Sequence, residues 1–226
     1  MLNKKQKYLQ IALNNTLEEA KLIINQLPVD ERIIIEVGTP LIKKYGIEAI
    51  KNIKNWWGAQ ISKSMKNFYP YVVADLKTMD RGATEVEIAY SGGADAAIAL
   101  GTAPIETLNV FIEQCKKLKI DSMIDMMNID FSLEVLRKLK FLPDVVILHR
   151  GVDEEEFNPE SEIPYHEIHR IKENYDILVA IAGGDTIQEV QRAIFNDADI
   201  VIVWKHFYKS SLDIAKLTKE FLNEIR

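Results

Sequence analysis

With one cysteine, Cys115, in 226 residues, the chain cannot build an intramolecular disulfide framework, and the expected compartment is a reducing cytoplasm. Long apolar runs are also missing. None approaches the ~20 residues that a membrane-crossing helix needs, and the opening "MLNKKQKYLQ" enters a strand-like run without the apolar centre of a signal peptide. No basic block is present. The 28 Lys and Arg are dispersed among 34 Asp and Glu, for a net charge of −6, so neither nucleic acid nor a membrane is an expected partner. No low-complexity segment or linker divides the chain. These absences leave a soluble protein long enough for one core of ordinary size.

What is present is alternation. Eight short aliphatic runs recur: "YLQIAL", "RIIIEVG", "YVVADL", "DAAIALG", "DSMIDMM", "DVVILH", "DILVAIAGG" and "DIVIVW". Each is apolar on both faces, as strands covered on both sides must be. Helical periodicity fills the intervals; in "TLEEAKLIINQL" it sets Leu17, Ala20, Ile23, Ile24 and Leu27 on one face. Thr16, Ser132 and Asp185 stand at helix starts as candidate N-caps. Eight β-α alternations predict an α/β fold, a (β/α)8 TIM barrel forming one domain over residues 1–226, with an open doubly wound sheet as the alternative. The irregular stretch "DEEEFNPESEIPYHEIHRI", with Pro159 and Pro164, reads as a long loop leading into a helix and suited to a lid. Trp56 and Trp57 read as helix-packing or subunit-contact residues.

Barrels of this kind build their chemistry at the C-terminal ends of the strands. The third run is expected to end near Asp75, gathering Asp75, Lys77 and Asp80 at the rim. Asn14 follows the first run, Glu36 closes the second, Asp125 the fifth and His149 the sixth. Unpaired charges in apolar strands are costly, so their convergence on one mouth points to a site. Glu36 and Asp75, on adjacent strands, can share Mg²⁺, which binds through few carboxylates plus waters and substrate oxygens. Lys77 can stabilise an enolate or alkoxide oxygen. His149 suits proton transfer at neutral pH, the alternative being a core histidine bonded to a backbone carbonyl. His166 and His169 are expected on a solvated helix face. In "AIAGGDT", Gly183 and Gly184 precede a helix start, where bare N–H groups can meet a phosphate. Lys205, after the eighth run, would add a cation.

The motif D-x-K-x-x-D at Asp75, Lys77 and Asp80 resembles the signature of the orotidine 5′-monophosphate decarboxylase superfamily. "IIIEVGTPLIKKYGIEAI", "DSMIDMMN", "HRGVD" and "AIAGGDT" extend the likeness over essentially the whole chain. They point to its Mg²⁺-dependent branch, that of 3-keto-L-gulonate 6-phosphate decarboxylase and 3-hexulose-6-phosphate synthase. The decarboxylase carries an arginine three residues after the histidine. Val152 holds that place here, and Arg150 does not replace it. The resemblance therefore implies a synthase-like aldolase, an aldehyde-lyase joining D-ribulose 5-phosphate to formaldehyde through an enediolate, or the reverse cleavage. It further implies Mg²⁺ on Glu36 and Asp75, an enediolate held by the metal and Lys77, proton shuttling by His149, and a substrate hydroxyl oriented by Asp125. Gly183, Gly184 and Lys205 would bind the phosphate, and Asp80 would complete the site of a partner in a homodimer.

Three positions depart from that pattern. Asn14 stands where the family has an aspartate, Asp185 follows the Gly-Gly pair, and Trp204 replaces a glycine whose backbone approaches the phosphate. All three lie around the sugar phosphate. A decarboxylase-like enzyme, or a catalytically altered paralogue with a modified phosphate site, is therefore the alternative expectation.

Overall fold

The computed structural model describes residues 1–64, 68–158, 160–209 and 213–225. The strands are β1 Tyr8–Leu13, β2 Ile33–Val37, β3 Val72–Thr78, β4 Ala96–Leu100, β5 Asp121–Asp125, β6 Val145–His149, β7 Leu178–Ala182 and β8 Ile200–Val203. The helices of the first half are α1 Leu17–Gln26, α2 Thr39–Tyr45, α3 Ile47–Ser62, α4 Gly82–Ser91 and α5 Ile105–Leu118. Those of the second are α6 Ser132–Leu136, α7 Val152–Phe157, α8 His166–Asn174, α9 Ile187–Phe195 and α10 Ile214–Glu224, with a 3₁₀ turn at Lys205–Tyr208. Every strand pairs in parallel with its sequence neighbours and β8 closes on β1, making the expected (β/α)8 barrel rather than an open sheet.

Because side chains alternate across a strand, each run supplies two layers. Leu9, Ile11, Ile33, Ile35, Val72 and Ala74 face the helices and join one large buried cluster. Tyr8, Ala12, Ile34, Val73, Met123 and Ile147 face inward and fill the barrel. Trp57 is fully buried among the outer layer, while Trp56 packs on its edge with the Lys21 ammonium 5.4 Å from its ring, so both tryptophans are packing residues within the chain. At the N-terminal mouth, Asp121 accepts hydrogen bonds from Tyr71 Oη and from the Leu2 amide (2.9 Å), sealing the end away from the site.

Two of the three expected N-caps are different. Thr16 caps α1, its hydroxyl accepting from the Glu19 amide at 3.2 Å. Ser132 is instead the first residue inside α6, preceded by Phe131, and its hydroxyl is buried without a partner. At α9 the cap is Thr186. Its hydroxyl accepts from the Glu189 amide, and the Glu189 carboxylate accepts from the Thr186 amide, a reciprocal box that leaves Asp185 outside the helix. The irregular stretch begins with the short helix α7 before α8, and Pro159 lies outside the described residues. His166 and His169 are exposed on α8, as expected. Among the described residues no helix is long and apolar enough to cross a membrane.

Candidate active site

The inward parity continues past the apolar layer and carries the polar groups with it. Ile34 is followed two residues later by Glu36, Val73 by Asp75 and then Lys77, Met123 by Asp125, and Ile147 by His149. Asn14, Glu36, Asp75, Lys77, Asp125 and His149 consequently line one cavity of about 420 Å³ at the C-terminal mouth. Contrary to the sequence expectation, β3 does not end near Asp75 but runs to Thr78. Between Ala74 and Thr78 it advances four residues while β4 advances two, from Ala97 to Ala99. Lys77 within this irregularity has φ +46, a left-handed conformation uncommon for a long side chain. The backbone distortion is thus located at a site residue.

Two groups of side chains face each other. In the first, Lys77 Nζ donates to Asp125 Oδ2 at 2.8 Å and lies 3.3 Å from Asp75 Oδ2, and His149 Nδ1 shares that same Asp125 oxygen at 2.7 Å. Asp125 Oδ1 accepts from the Met127 amide at 3.0 Å. Burial alone would raise the Asp125 pKa, but His149 and Lys77 overcome it and hold the carboxyl at about 2. Burial likewise works against a charged His149, yet the Asp125 carboxylate raises the imidazole above its usual value. Burial would lower Lys77 too, and Asp75 and Asp125 together push it up instead. This network keeps a cation and a proton carrier at fixed positions on one carboxylate.

The second group is Glu36 and Asp75. Gln10 donates to Glu36 Oε2 at 2.5 Å, and Thr39 Oγ1 donates to Asp75 Oδ2 at 2.8 Å. Asp75 Oδ1 is buried without a partner. Burial first, and the Asp75 charge second, push Glu36 up to about 7. A cation between the acids would satisfy the orphaned oxygen and remove the repulsion, so the pair fits a hard divalent ion. Among the described residues no cluster of three or more His, Cys, Asp or Glu could hold a metal, so an ion held by this pair would take its remaining ligands from water or substrate. A pKa raised on folding adds stability below the unfolded value, here 4.5, and that stability is lost as pH rises through about 7. Glu36→Gln is accordingly expected to remove this decline in EDTA-treated protein. The difference in thermal midpoint between variant and wild type should change across pH 4.5 to 7. A difference independent of pH would count against a protonated Glu36.

Gln10 and Thr39 were not among the expected site residues. The former has a visible signal: a polar residue at an inward position of an otherwise apolar strand. Asn14 is set by backbone approach. Its backbone amide donates to Tyr208 Oη at 2.8 Å, and a Cβ at Gly38 would come within 1.9 Å of its Oδ1, so a larger residue there would displace the Asn14 side chain.

The rim between β7 and β8 differs most from expectation. Gly183 lines the cavity, but its φ of +99 and the 2.4 Å approach of an added Cβ to the Arg150 carbonyl account for the glycine without any ligand. Gly184 and Lys205 do not line the cavity. A Cβ on Gly184 would meet the Glu189 side chain at 2.9 Å, and Lys205 Nζ donates to Glu155 Oε2 at 2.5 Å. Asp185 turns to the other strand, its Oδ1 accepting from the amides of Trp204 (2.6 Å) and Lys205 (3.1 Å). Trp204 follows the inward parity of Ile200 and Ile202 and forms part of the wall, edge-on to Tyr208 at 6.4 Å between ring centroids. Arg150 also reaches the wall. Its Nη2 donates to the Gly183 carbonyl at 2.8 Å and its Nη1 to the Ser161 carbonyl at 3.1 Å, tying the loop after β7 to the segment after α7. Asp80 is exposed, does not line this cavity, and accepts from the Arg81 amide at 2.7 Å.

A family model described as "Orotidine 5′-phosphate decarboxylase / HUMPS family" matches residues 7–219. The "Bifunctional enzyme Fae/Hps" of Methanothrix thermoacetophila is 37% identical over 221 residues, 97% of this chain and 53% of its own. The chain thus spans about half the length of the curated relatives it matches. The 3-hexulose-6-phosphate synthase of Salmonella typhimurium has a TM-score of 0.82 at 28% identity, over 96% of this chain and 98% of that one. The KGPDC of Streptococcus mutans shares the fold alone, with a TM-score of 0.76 at 18% identity over 97% of each chain.

Proposed function

Since the chain belongs to the orotidine 5′-phosphate decarboxylase / HUMPS family, we propose that it is a 3-hexulose-6-phosphate synthase-like aldolase. Its reaction would be the condensation of D-ribulose 5-phosphate with formaldehyde, or the reverse cleavage. The observation that carries this reading is the Lys77–Asp125–His149 network beside the Glu36–Asp75 pair in one cavity. The Hps part of the relatives' name denotes that synthase. Val152 at the cavity rim favours it over the decarboxylase, because the side chain there brings no charge to a carboxylate substrate.

Glu36 and Asp75 would hold Mg²⁺, which when bound supplies a Lewis acid for neighbouring substrate oxygens. The rest is the work of the chain. His149 would take up the proton that leaves the sugar and give it back as protons move on and off. Asp125 keeps the imidazole oriented through Nδ1, leaving Nε2 as the exchanging nitrogen. As the C1 proton leaves, negative charge grows on the sugar oxygens, and the Lys77 ammonium stabilises it. Asn14 offers hydrogen bonds at the same mouth without adding a charge. Asp80, exposed and outside its own cavity, would complete the site of a second subunit in a homodimer.

The direct assay follows formaldehyde loss with ribulose 5-phosphate and Mg²⁺, against an EDTA control. Metal-dependent consumption is expected. No consumption by the folded protein would overturn the synthase reading.

A further inference from the structure

Barrel phosphate sites commonly use the loops after strands seven and eight and the N-terminus of the adjoining helix. In this protein several of the donors at that place are already engaged. The amides of Trp204 and Lys205 both point to Asp185 Oδ1, and Asp185 is 8% exposed. The Lys205 ammonium is held by Glu155 and lies 5.8 Å from the Trp204 ring centroid. At the start of α9, Thr186 Oγ1 accepts from the Glu189 amide, so that N–H is also spent.

The local charge runs the same way. Arg150 is paired at the same rim, its Nη2 lying 3.8 Å from Glu155 and 3.7 Å from Glu189. Glu155 and Glu189 thus already hold Lys205 and Arg150, and a phosphate dianion arriving at this rim would compete with chain carboxylates for those cations. Two successive N–H groups converging on one oxygen form the kind of concavity that takes an anion. Here the anion belongs to the chain.

We propose that Asp185 and Glu155 act as a resident substitute for a phosphate dianion at the rim between β7 and β8, so that a phosphorylated ligand binds there only by displacing them. This rests on the sugar-phosphate reading of the site and adds what sets its selectivity. Asp185, on the loop after β7, and Glu155, on α7, come from different elements, so each can be released separately. In the resident state the rim discriminates against phosphomonoesters. The same contacts tie α7 to the turn after β8 and so hold the mouth in the conformation described.

Inorganic phosphate is the probe, because its binding does not depend on turnover. It would be titrated into wild type, Asp185→Asn, Glu155→Gln and the double variant, following the ¹⁵N–¹H resonances of Trp204 and Lys205. Each single variant is expected to bind phosphate about tenfold more tightly than wild type or better, with the double variant tightest. Equal affinity in wild type and variants overturns the proposal, as does binding that leaves both amide resonances unmoved. Glu155 is part-exposed, and Glu155→Gln gives the answer alone if Asp185→Asn does not fold. An inactive enzyme that shows the gain would refute the synthase reading and keep this one; an active enzyme without the gain would do the reverse.

Discussion

Lys77→Met is expected to lower the rate of formaldehyde consumption by about 10³-fold or more while leaving the barrel folded. The ammonium is the only cation in contact with both Asp75 and Asp125 among the described residues, at 3.3 and 2.8 Å. Stabilising charge that appears only as the proton leaves affects the rate far more than substrate affinity, so the loss should fall on kcat. Met retains the length and apolar stem of the lysine, which limits the disturbance to the charge. A rate within about tenfold of wild type would remove Lys77 from the chemistry. The same variant tests the role of Asp80. If Asp80 serves the neighbouring subunit, then mixing Lys77→Met chains with Asp80→Asn chains, each inactive alone, restores activity. Random pairing makes half the dimers hybrids with one intact site of two, so about a quarter of wild-type activity is expected. Activity no greater than that of the separate variants would count against a shared site.

Asp125→Asn is expected to affect stability and catalysis together. The carboxylate is 1% exposed and serves Lys77, His149 and the Met127 amide. Removing one partner from a buried ionic network costs about 3–5 kcal/mol, to be measured by denaturant unfolding at neutral pH. The pH dependence has a definite sign. The Asp125 pKa falls from 3.8 to about 2 on folding, so its stabilisation is complete above 3.8 and is lost as pH drops through about 2. The His149 pKa rises above 6.5, so its stabilisation is complete below 6.5 and is lost as pH climbs through the raised value. In Asp125→Asn the acid-side dependence should disappear and the His149 dependence should change sign. Burial and the Lys77 charge would then outweigh Asp75 at His149, and the imidazole should titrate below 6.5, as read from its ring resonances by NMR. A His149 titration unchanged by the substitution would show that Asp125 does not set its protonation.

Much of this was legible in the chain itself. Eight apolar runs predicted eight strands, and all eight formed, because a strand buried on both faces must be continuously apolar and short. The site carboxylates, Lys77 and His149 were also legible. An ionisable residue two places beyond an inward apolar residue faces the same interior, and the period of two is a property of extended backbone. Thr186 could have been recognised as the α9 cap from Glu189 three places on, since the pair forms a reciprocal box.

Other features depended on contacts between distant parts of the chain. Whether Lys77 lay in a loop or in a strand followed from the register of β3 against β4, which depends on residues more than 15 positions apart. The role of Arg150 came from the positions of the Gly183 and Ser161 carbonyls, on two separate segments. The fate of the phosphate rim was decided in the same way. Asp185 is separated by 19 residues from the Trp204 amide that it takes, and Lys205 by 50 from Glu155. Local propensity and periodicity act over a few residues and determined the strands, the helices and which groups point inward. The partners those groups find are set by closure of the barrel, which alone brings the ends of β6, β7 and β8 within hydrogen-bond reach.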